Sequence, residues 1–556
     1  MNLFPAALFA CVIRSLRASA LAALAPALFA AFLTGIPGMA LAQTATSAPT
    51  GSPDLLTPYE ASGLTRYTTH AEMVEYLRAV QGSSAEMVLG RYGTTMEGRE
   101  LPFALFSRPG VSTPGEAHAS GRPIVLMGAN VHGFNYLLRE SLLVMIRELA
   151  TPGTELNALL DHIIVLVVPS KNPDALSLDS RFNPIGADLN RDYMTLDQPS
   201  MAAFVGEILN RWHPHLVVDG HDGGAVQYGG AYPYNLLYQG PAIATADPAL
   251  TELLDQTVFP HLNRRLEAEG YRAFYWAYAD GDRWIGGGSA PRMGRNYGGL
   301  ANKVTILFEL EVWHDAETAM GTGLTALGAV LEYAATGSDE LLAVVEAARR
   351  STVEWGERAE GTIPVRAAVE PESFRVTFET RDPADPEGLI TVRDAELVKR
   401  PVGTAFRDRP WAYVLPPEAR EAVALLLRHN IEVERLTEAV DREGSRYTLA
   451  SVEWEEAVNG QRAAPVLEVG REIHGMVELP RGAWVVRTGQ LLGRVVSQLL
   501  EPEAEDNLFY WGRMTSLLPL PELAVDGTTE GGEEALIPLV RLMEPMGLPT
   551  QRVGGR

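Results

Sequence analysis

Four apolar runs constrain this chain more than any other feature of its sequence. They are IVLMGAN before His132, IIVLVVPS before Asn172, LVVDG before His221, and VTILFE, which contains Glu309. Each run is rich in Val, Ile and Leu, and helical patterns such as SLLVMIREL separate them. Such strands alternating with helices predict an α/β fold, a mostly parallel mixed sheet covered by helices on both faces. Because parallel strands bring their carboxyl ends to one edge, we expect the four polar residues to form a constellation there.

The first residues predict export. Arg14 and Arg17 form a positive flank, an Ala, Leu and Phe run forms an apolar core, and 40–42 (ALA) offers a small-x-small cleavage site. We therefore assign residues 1–42 to a signal peptide and the Pro/Ser/Thr-rich residues 43–57 to a flexible leader, with a periplasmic or extracellular destination. An uncleaved anchor is the alternative, because about 20 apolar residues can span a bilayer. No later stretch has a transmembrane pattern, so we expect no stable membrane insertion after cleavage.

Charge and cysteine content exclude two classes of function. The formal net charge of -24 argues against nucleic acid as a partner, because an acidic surface repels phosphates. Signal cleavage would remove the only cysteine, Cys11, so the mature chain could not use thiol catalysis. Any metal would have to be held by His, Asp, Glu or amide oxygen.

The composition predicts two folded domains after the leader, at residues 58–360 and 361–556. The second reads as strand, helix and strand in WAYVLP, PEAREAVALLLRHN and IEVERL, and it lacks a His/Asp/Glu cluster. We interpret it as a smaller α/β accessory domain. Within the first, residues 228–300 are dense in Gly, Tyr, Trp and Pro, which is typical of loops that shape a cleft, although a rigid surface loop is the alternative.

The two strand-end histidines suggest a metal site. His132 and His221 each stand where a strand meets a loop, and Asn135 follows the first by three residues. Two imidazoles and a carboxylate, with one position open to water, form a catalytic zinc arrangement. A lone strand-end histidine is more often a structural hydrogen-bonding group, so this prediction depends on the surrounding pattern.

That pattern resembles the zinc carboxypeptidases, over about Leu64 to Ala335. The matching features occur in the family's order: a strand leading to H-x-x-E (here HGFN, 132–135), an N-P-D turn (172–174), an R...G-x-D-L-N-R-D-Y block (181–193), a D-x-H strand end (219–221) and a strand ending F-E-L (308–310). Any one motif is weak, whereas the ordered set is specific. The downstream segments RPWAYVLPPEAREAV and LLEPEAEDNLFYW look like the C-terminal extension of exported bacterial members.

The resemblance implies a carboxypeptidase-like fold, one zinc ion, and a peptide or peptide-like substrate with a free carboxylate. His132 and His221 would bind the zinc, with Asn135 at the third ligand position. Glu309 would be the general base, and we prefer it to Glu311 because it fits the family position.

The remaining roles concern the substrate. Arg181 would polarise the scissile carbonyl, and Asn190 and Arg191 would bind the terminal carboxylate, for which a guanidinium is suited because it forks onto both oxygens. Tyr297 is our candidate for a substrate-binding tyrosine. Asp219, two residues before His221 on an extended strand, points the same way as that histidine and is a candidate hydrogen-bond partner for it, although a backbone group could serve instead.

Asn135 is the departure from the family, which has glutamate there. An amide oxygen is neutral and a poor zinc donor, and Glu140 would lie roughly 140° around the helix from Asn135, so it does not replace the missing carboxylate. Our prediction is an exported zinc-dependent carboxypeptidase-like hydrolase that cleaves a C-terminal amide bond. The alternatives are a catalytically impaired pseudo-peptidase that binds peptides or carboxylates, and a metal-dependent deacylase or amidase on the same scaffold.

Overall fold

The computed structural model describes residues 55–223, 232–312, 314–382, 384–456, 464–519 and 534–553. The predicted signal peptide, most of the leader and the start of the aromatic region lie outside these residues. Among the described helices, none is both long and apolar enough to cross a membrane.

The described α-helices occur in both halves of the chain. They are α1 (Pro58–Ala61), α2 (His70–Ser83), α3 (Pro114–Ala119), α4 (Leu137–Ala150), α5 (Glu155–Ala158), α6 (Pro173–Leu176), α7 (Pro199–Ala203), α8 (Asn210–Trp212), α9 (Pro248–Leu253), α10 (Phe259–Ala268), α11 (Gly294–Leu300), α12 (Ala316–Thr336), α13 (Ser338–Arg358), α14 (Arg420–Arg428) and α15 (Gly493–Leu500). Wider π-helical turns at Phe204–Leu209 and Leu254–Val258 join α7 to α8 and α9 to α10, and 3₁₀ turns occur at Leu159–Asp161, Leu189–Arg191 and Thr515–Leu517.

The strands of the described residues form three sheets. They are β1 (Met87–Thr94), β2 (Glu100–Phe106), β3 (Ile124–Ala129), β4 (Ile164–Val168), β5 (Leu216–Asp222), β6 (Leu236–Gln239), β7 (Ala273–Tyr275), β8 (Ala277–Asp280), β9 (Arg283–Gly286), β10 (Val304–Leu310), β11 (Thr362–Asp382), β12 (Asp385–Asp408), β13 (Ala412–Leu415), β14 (Glu434–Leu436), β15 (Val440–Glu455), β16 (Ala464–Leu479), β17 (Trp484–Arg487), β18 (Val540–Leu542) and β19 (Thr550–Arg552).

The largest sheet contains the four apolar runs as adjacent strands. Its order is β1-β2-β4-β3-β5-β10-β6-β7, and the neighbours β4, β3, β5 and β10 are parallel. The pairs β1 with β2, β2 with β4 and β10 with β6 are antiparallel. The predicted α/β class, with a mostly parallel mixed sheet, is therefore confirmed.

Both faces of this sheet are buried, and side chains alternate between them because successive residues of a strand point to opposite sides. On β3, Ile124 and Leu126 join one core, whereas Val125 and Met127 join the other. The core of Val125 and Met127 is closed by α2, α4 and α12. The core of Ile124 and Leu126 also contains residues of α14, α15 and the sheet that includes β13, β15, β16 and β17. The C-terminal half therefore packs directly against this face of the large sheet.

The C-terminal half contains the predicted strand, helix and strand as β13, α14 and β14. Its sheet has the order β16-β15-β18-β13-β17-β14-β19, and each neighbouring pair is antiparallel. A four-stranded sheet, β11-β12-β9-β8, joins strands from both halves. Residues 50–556 form one compact unit, and the division at residue 360 stays a prediction.

Candidate metal centre and active site

The turn after β3 sets the position of His132. Asn130 has a left-handed backbone (φ 57°), which asparagine adopts more readily than most residues. Its Nδ2 donates to the carbonyl oxygens of His132 (2.9 Å) and Asn135 (3.1 Å), and its Oδ1 accepts from the Ser170 hydroxyl at 2.6 Å. Gly133 is required here, because a Cβ would lie 2.1 Å from the carbonyl oxygen of Ala175. The Asn130 side chain and the close packing at Gly133 therefore fix the conformation of this turn.

His132 is oriented by a carboxylate. Its Nε2 lies 3.1 Å from Asp188 Oδ1, and Asp188 Oδ2 accepts from Arg181 Nε at 2.9 Å. Burial lowers the pKa of His132 to about 4, although the hydrogen bond to Asp188 acts in the opposite direction. Burial alone would raise the pKa of Asp188, but the hydrogen bond to His132 and the charges of Arg181 and Arg191 hold it below its usual range. The imidazole is therefore neutral near pH 7, with Nδ1 as the nitrogen that can bind a metal.

His221 has a similar arrangement at the end of β5. Its Nε2 lies 3.5 Å from Asp219 Oδ2, and Asp219 Oδ1 accepts a short hydrogen bond from the ammonium group of Lys171. Both Asp219 and Lys171 are buried. Here too a carboxylate faces Nε2, which leaves Nδ1 for a ligand. The orienting role of Asp219 stays a prediction, because neither His221 Nε2 nor Asp219 Oδ2 has a hydrogen-bond partner among the described residues.

The two imidazoles lie close enough to share one ion. Their ring centroids are 5.1 Å apart, with an angle of 58° between the ring planes. Two imidazoles bound to one tetrahedral zinc at about 2.1 Å would have ring centres roughly 5 Å apart. The spacing of His132 and His221 therefore fits a shared metal ion.

Asn135 follows His132 by three residues, and its side chain is buried. Its Nδ2 donates to the backbone carbonyl of Asp222 at 3.0 Å, whereas Oδ1 is buried and has no hydrogen-bond partner among the described residues. The Asp222 carboxylate is engaged elsewhere, because it accepts from the backbone N–H groups of Leu137 and Leu138 at the start of α4. An unsatisfied buried oxygen is costly unless it meets a cation, a water molecule or another donor.

The donor set therefore fits zinc at two histidines, with the Asn135 oxygen as a weak third donor. Within the described ranges, three or more His, Cys, Asp or Glu residues are nowhere grouped so that they could hold a metal. The predicted third donor, Asn135, carries an amide and so would not count towards such a group. These residues could hold a metal ion, but would do so with less negative charge than a site with two histidines and one carboxylate.

Glu309 stands beside His221. The two residues are paired in register across the parallel strands β10 and β5, so both side chains leave the same face of the sheet. Burial raises the pKa of Glu309, and the nearby charges of His221 and Arg181 oppose that shift. A carboxylate with a raised pKa next to a metal site is suited to take and return a proton. Glu311 lies beyond the end of β10, and its Oε1 accepts from the backbone N–H of Val312.

Asn190 and Arg191 follow Asp188 on a single 3₁₀ turn. The Asp188 side chain caps this turn by accepting from the Asn190 backbone N–H at 2.9 Å. Asn190 Oδ1 accepts from the backbone N–H of Gly294 at 2.9 Å, which leaves the Asn190 Nδ2 group as a donor. One motif thus supplies an orienting carboxylate for His132 and the two predicted carboxylate-binding groups.

Tyr297 does not lie with the other predicted residues. It is completely buried on α11, where its hydroxyl accepts from Asn210 Nδ2 at 2.7 Å and lies 2.8 Å from His429 Nδ1. This position does not support a substrate-binding role and indicates a structural one. The aromatic composition of residues 228–300 predicted a cleft, but it could not predict whether this particular tyrosine would line it.

Sequence reasoning gave no role to Asp188, Lys171 or Asn130. Asp188 stands inside the recognised block, so its spacing to Asn190 was the available signal. Lys171 lies in SKNPD, which reads as a solvated turn, and Asn130 ends an apolar strand without a distinctive neighbour. The role of each depends on a partner at least 40 residues away in sequence or, for Asn130, on backbone carbonyls.

The chain was compared with known proteins. Residues 73–234 match the family model described as zinc carboxypeptidase, a range that includes His132, Asn135, Arg181, Asn190, Arg191 and His221. Carboxypeptidase 2 of Trichophyton rubrum is 24% identical over 484 residues, covering 81% of this chain and 84% of that protein. Carboxypeptidase 2 of Trichophyton tonsurans is 23% identical over 476 residues, with the same coverage. A metallo-carboxypeptidase structure from Burkholderia cenocepacia is 18% identical and covers 49% of this chain and 70% of that one, with a TM-score of 0.39.

The family match and the long similarity to curated carboxypeptidases agree with the ordered motifs and with the strand-end site. The predicted resemblance to the zinc carboxypeptidases is therefore confirmed, and this similarity indicates a hydrolase of the metallocarboxypeptidase type.

Proposed function

We propose that this protein is an exported, zinc-dependent carboxypeptidase that cleaves the last amide bond of a peptide or peptide-like substrate with a free carboxylate. The observation that carries the proposal is the pairing of His132 with His221 at 5.1 Å between ring centroids, with Glu309 in register beside His221. Export is supported by the signal-like sequence at residues 1–42.

Three residues would hold the metal. His132 and His221 would bind through Nδ1, since Nε2 of each faces Asp188 or Asp219. Asn135 would bind through Oδ1. When bound, zinc supplies Lewis acidity that acidifies water and polarises a carbonyl group.

The chain's own residues supply the rest of the chemistry. Asn190 Nδ2 and the Arg191 guanidinium would bind the terminal carboxylate and so set the scissile bond in place. Glu309 would accept the proton of the attacking water and deliver it to the leaving amine nitrogen. Arg181, held by Asp188, would stabilise the negative charge that develops on the carbonyl oxygen.

Asn135 favours one second candidate, a protein that binds carboxylates without turning them over. Replacing a carboxylate ligand by an amide removes one negative charge from the site and weakens its hold on a divalent cation. The carboxylate-binding pair does not depend on that ligand. A cleft that still recognises a C-terminus could therefore persist without catalysis.

The deciding experiment measures zinc content and hydrolysis together. Protein purified without chelator, and the same protein reloaded with zinc, is assayed on N-acylated dipeptides with a free C-terminus and on their C-terminal amides. We expect about one zinc per chain after loading, hydrolysis of the free acids only, and loss of activity with chelator. Binding of the free acids with no hydrolysis at full zinc occupancy would instead establish the second candidate.

A further inference from the structure

The segment from Arg292 to Gly294 links the C-terminal half to the candidate active site. At one end, Asp506 accepts from the Arg292 backbone N–H through Oδ2 at 2.9 Å, and Asp506 Oδ1 lies 2.9 Å from Arg292 Nε. At the other end, the Gly294 N–H donates to Asn190 Oδ1 at 2.9 Å. A single residue, Met293, therefore separates the contact with the C-terminal half from the contact with Asn190.

Gly294 is packed tightly against the site. A Cβ on this residue would lie 2.4 Å from Asp219 Oδ2 and 2.8 Å from the Tyr193 hydroxyl oxygen. The backbone of the segment therefore has little freedom to move towards the metal centre. A displacement of Arg292 would pass to Gly294 and alter its hydrogen bond to Asn190.

Asp506 is itself firmly placed. It is completely buried and has a left-handed backbone (φ 63°). The next residue, Asn507, ties the loop together, because its Nδ2 donates to the Pro502 and Ala504 carbonyls and its Oδ1 accepts from the Phe509 and Tyr510 N–H groups. The Asp506 carboxylate that contacts Arg292 therefore lies on a loop that is held by its own hydrogen bonds.

The charges of this pair also reach the carboxylate-binding residues. The pKa of Arg191 is lowered by burial, with the Arg292 charge acting in the same direction and the Asp506 charge opposing it. Burial raises the pKa of Asp506 to about 7, against the opposing charge of Arg292, and in its ionised form Asp506 balances the positive charge of Arg292 next to Arg191. Without the Asp506 charge, the guanidinium groups of Arg191 and Arg292 would repel each other in a poorly hydrated region.

We propose that Asp506 is a positioning residue for substrate binding, acting through Arg292 and Gly294 to set Asn190 and Arg191. This inference rests on the proposed function, because it assigns those two residues to the substrate's terminal carboxylate. It gives the C-terminal half a part in recognition. An ion pair that only joins two halves of a protein would affect stability without favouring one class of ligand.

The chain offers a matched control. Glu503 lies on the same loop, lines the same cavity of about 450 Å³ as Asp506 and Arg292, and forms an ion pair with Arg407. Glu503→Gln therefore removes an interaction between the loop and the β11–β12 sheet that does not lead to Asn190. Asp506→Asn removes the charge of Asp506 while keeping its shape.

The test measures binding in a Glu309→Gln background, where turnover does not interfere, using an N-benzoyl dipeptide as the free acid and as the C-terminal amide. We expect Asp506→Asn to weaken binding of the acid about tenfold and to leave binding of the amide unchanged. Glu503→Gln should change neither by more than about twofold. In the zinc-loaded enzyme with Glu309 intact, Asp506→Asn should raise KM by a similar factor with little change in kcat.

Several outcomes would overturn the inference. Equal weakening of acid and amide, or an equal effect of Glu503→Gln, would indicate a general structural role. An unchanged affinity for the acid would show that Asp506 does not act on substrate binding. If the unsubstituted background binds acid and amide equally, the carboxylate assignment in the proposed function fails, and this inference fails with it. Thermal unfolding checks that each variant is folded, and Arg292→Lys, which keeps the charge but loses the Nε contact, replaces Asp506→Asn if the latter does not fold.

Discussion

Asn135 and Asp222 are joined by a hydrogen bond of 3.0 Å from the asparagine amide to the aspartate backbone carbonyl. Because Asp222 ends β5 and its carboxylate caps α4, this bond ties the loop after β3 to the strand that carries His221. Glutamate, the family residue, has no N–H to offer that carbonyl. The replacement therefore gains a structural bond while it gives up ligand charge.

The first prediction concerns Asn135→Glu. We expect zinc affinity to rise at least about tenfold, because a carboxylate completes the zinc arrangement of two histidines and one carboxylate. Without metal, the variant should lose about 1–3 kcal/mol of unfolding free energy, since the Asp222 carbonyl loses its donor and a carboxylate is buried. A zinc titration against a competing chelator and urea unfolding of the apo-protein measure the two effects. Asn135→Ala is the control, and should lower both quantities; a zinc affinity that is the same in all three proteins would exclude Asn135 as a ligand position.

The second prediction concerns the general base. Glu309→Gln should lower kcat by about 10²–10⁴-fold, the usual contribution of a positioned acid–base group, while zinc affinity stays within about twofold. Glu311→Gln is the matched control from the same segment, and should keep kcat within about threefold because that carboxylate lies past the end of β10. Stopped-time peptide hydrolysis and metal analysis on both variants decide the matter. The reverse pattern, with Glu311 essential, would move the base by two residues.

The sequence predicted the sheet and the strand-end residues because both depend on short-range pattern. The alternation of Val125 with Leu126 on two buried faces follows from a run that is apolar throughout. Strand ends meet at one edge in any parallel sheet, so His132, His221 and Glu309 could be expected together. The number of residues between them in the chain does not predict how far apart they lie in space. Their shared position at the ends of parallel strands does.

Other features depend on distant partners and have no local signal. Lys171 can be buried because Asp219, on β5, accepts a hydrogen bond from its ammonium group. Tyr297 is buried because the C-terminal half supplies His429 over α11. In the sequence, Asp506 is one of several acidic residues in EPEAED, and only the structure shows that it contacts Arg292. Composition shows how many charges a segment has, but it does not show which charge is paired across 200 residues.

The third prediction tests the position of Tyr297. Tyr297→Phe removes the hydroxyl that contacts Asn210 and His429, and should cost about 1–3 kcal/mol of unfolding free energy because buried polar groups lose a partner. KM and kcat of the folded protein should stay within about twofold. Urea unfolding and steady-state kinetics on one preparation measure both. A large rise in KM with unchanged stability would return Tyr297 to the substrate site.

The fourth prediction is an acid sensitivity that originates at His429. This buried ring uses both nitrogens, with Nε2 donating to the Met194 carbonyl at 3.0 Å and Nδ1 facing the Tyr297 hydroxyl. Burial, aided by the charge of Arg428 and opposed by the Met194 carbonyl, lowers its pKa from 6.5 to about 4. The folded state therefore binds fewer protons than the unfolded state between these values, so stability is full above pH 6.5 and falls as the pH drops towards 4.

His429→Gln removes this contribution. Relative to the variant, the wild-type protein should lose roughly 2 kcal/mol more unfolding free energy between pH 6.5 and pH 5, since one proton changes stability by about 1.4 kcal/mol per pH unit. Some slope will remain in the variant, because His215 is also buried with its pKa lowered to about 4. Urea unfolding at several pH values measures the difference, with the exposed His474→Gln as control. If His429→Gln and His474→Gln have the same pH dependence as the wild type, the acid-sensitive group lies elsewhere in the core.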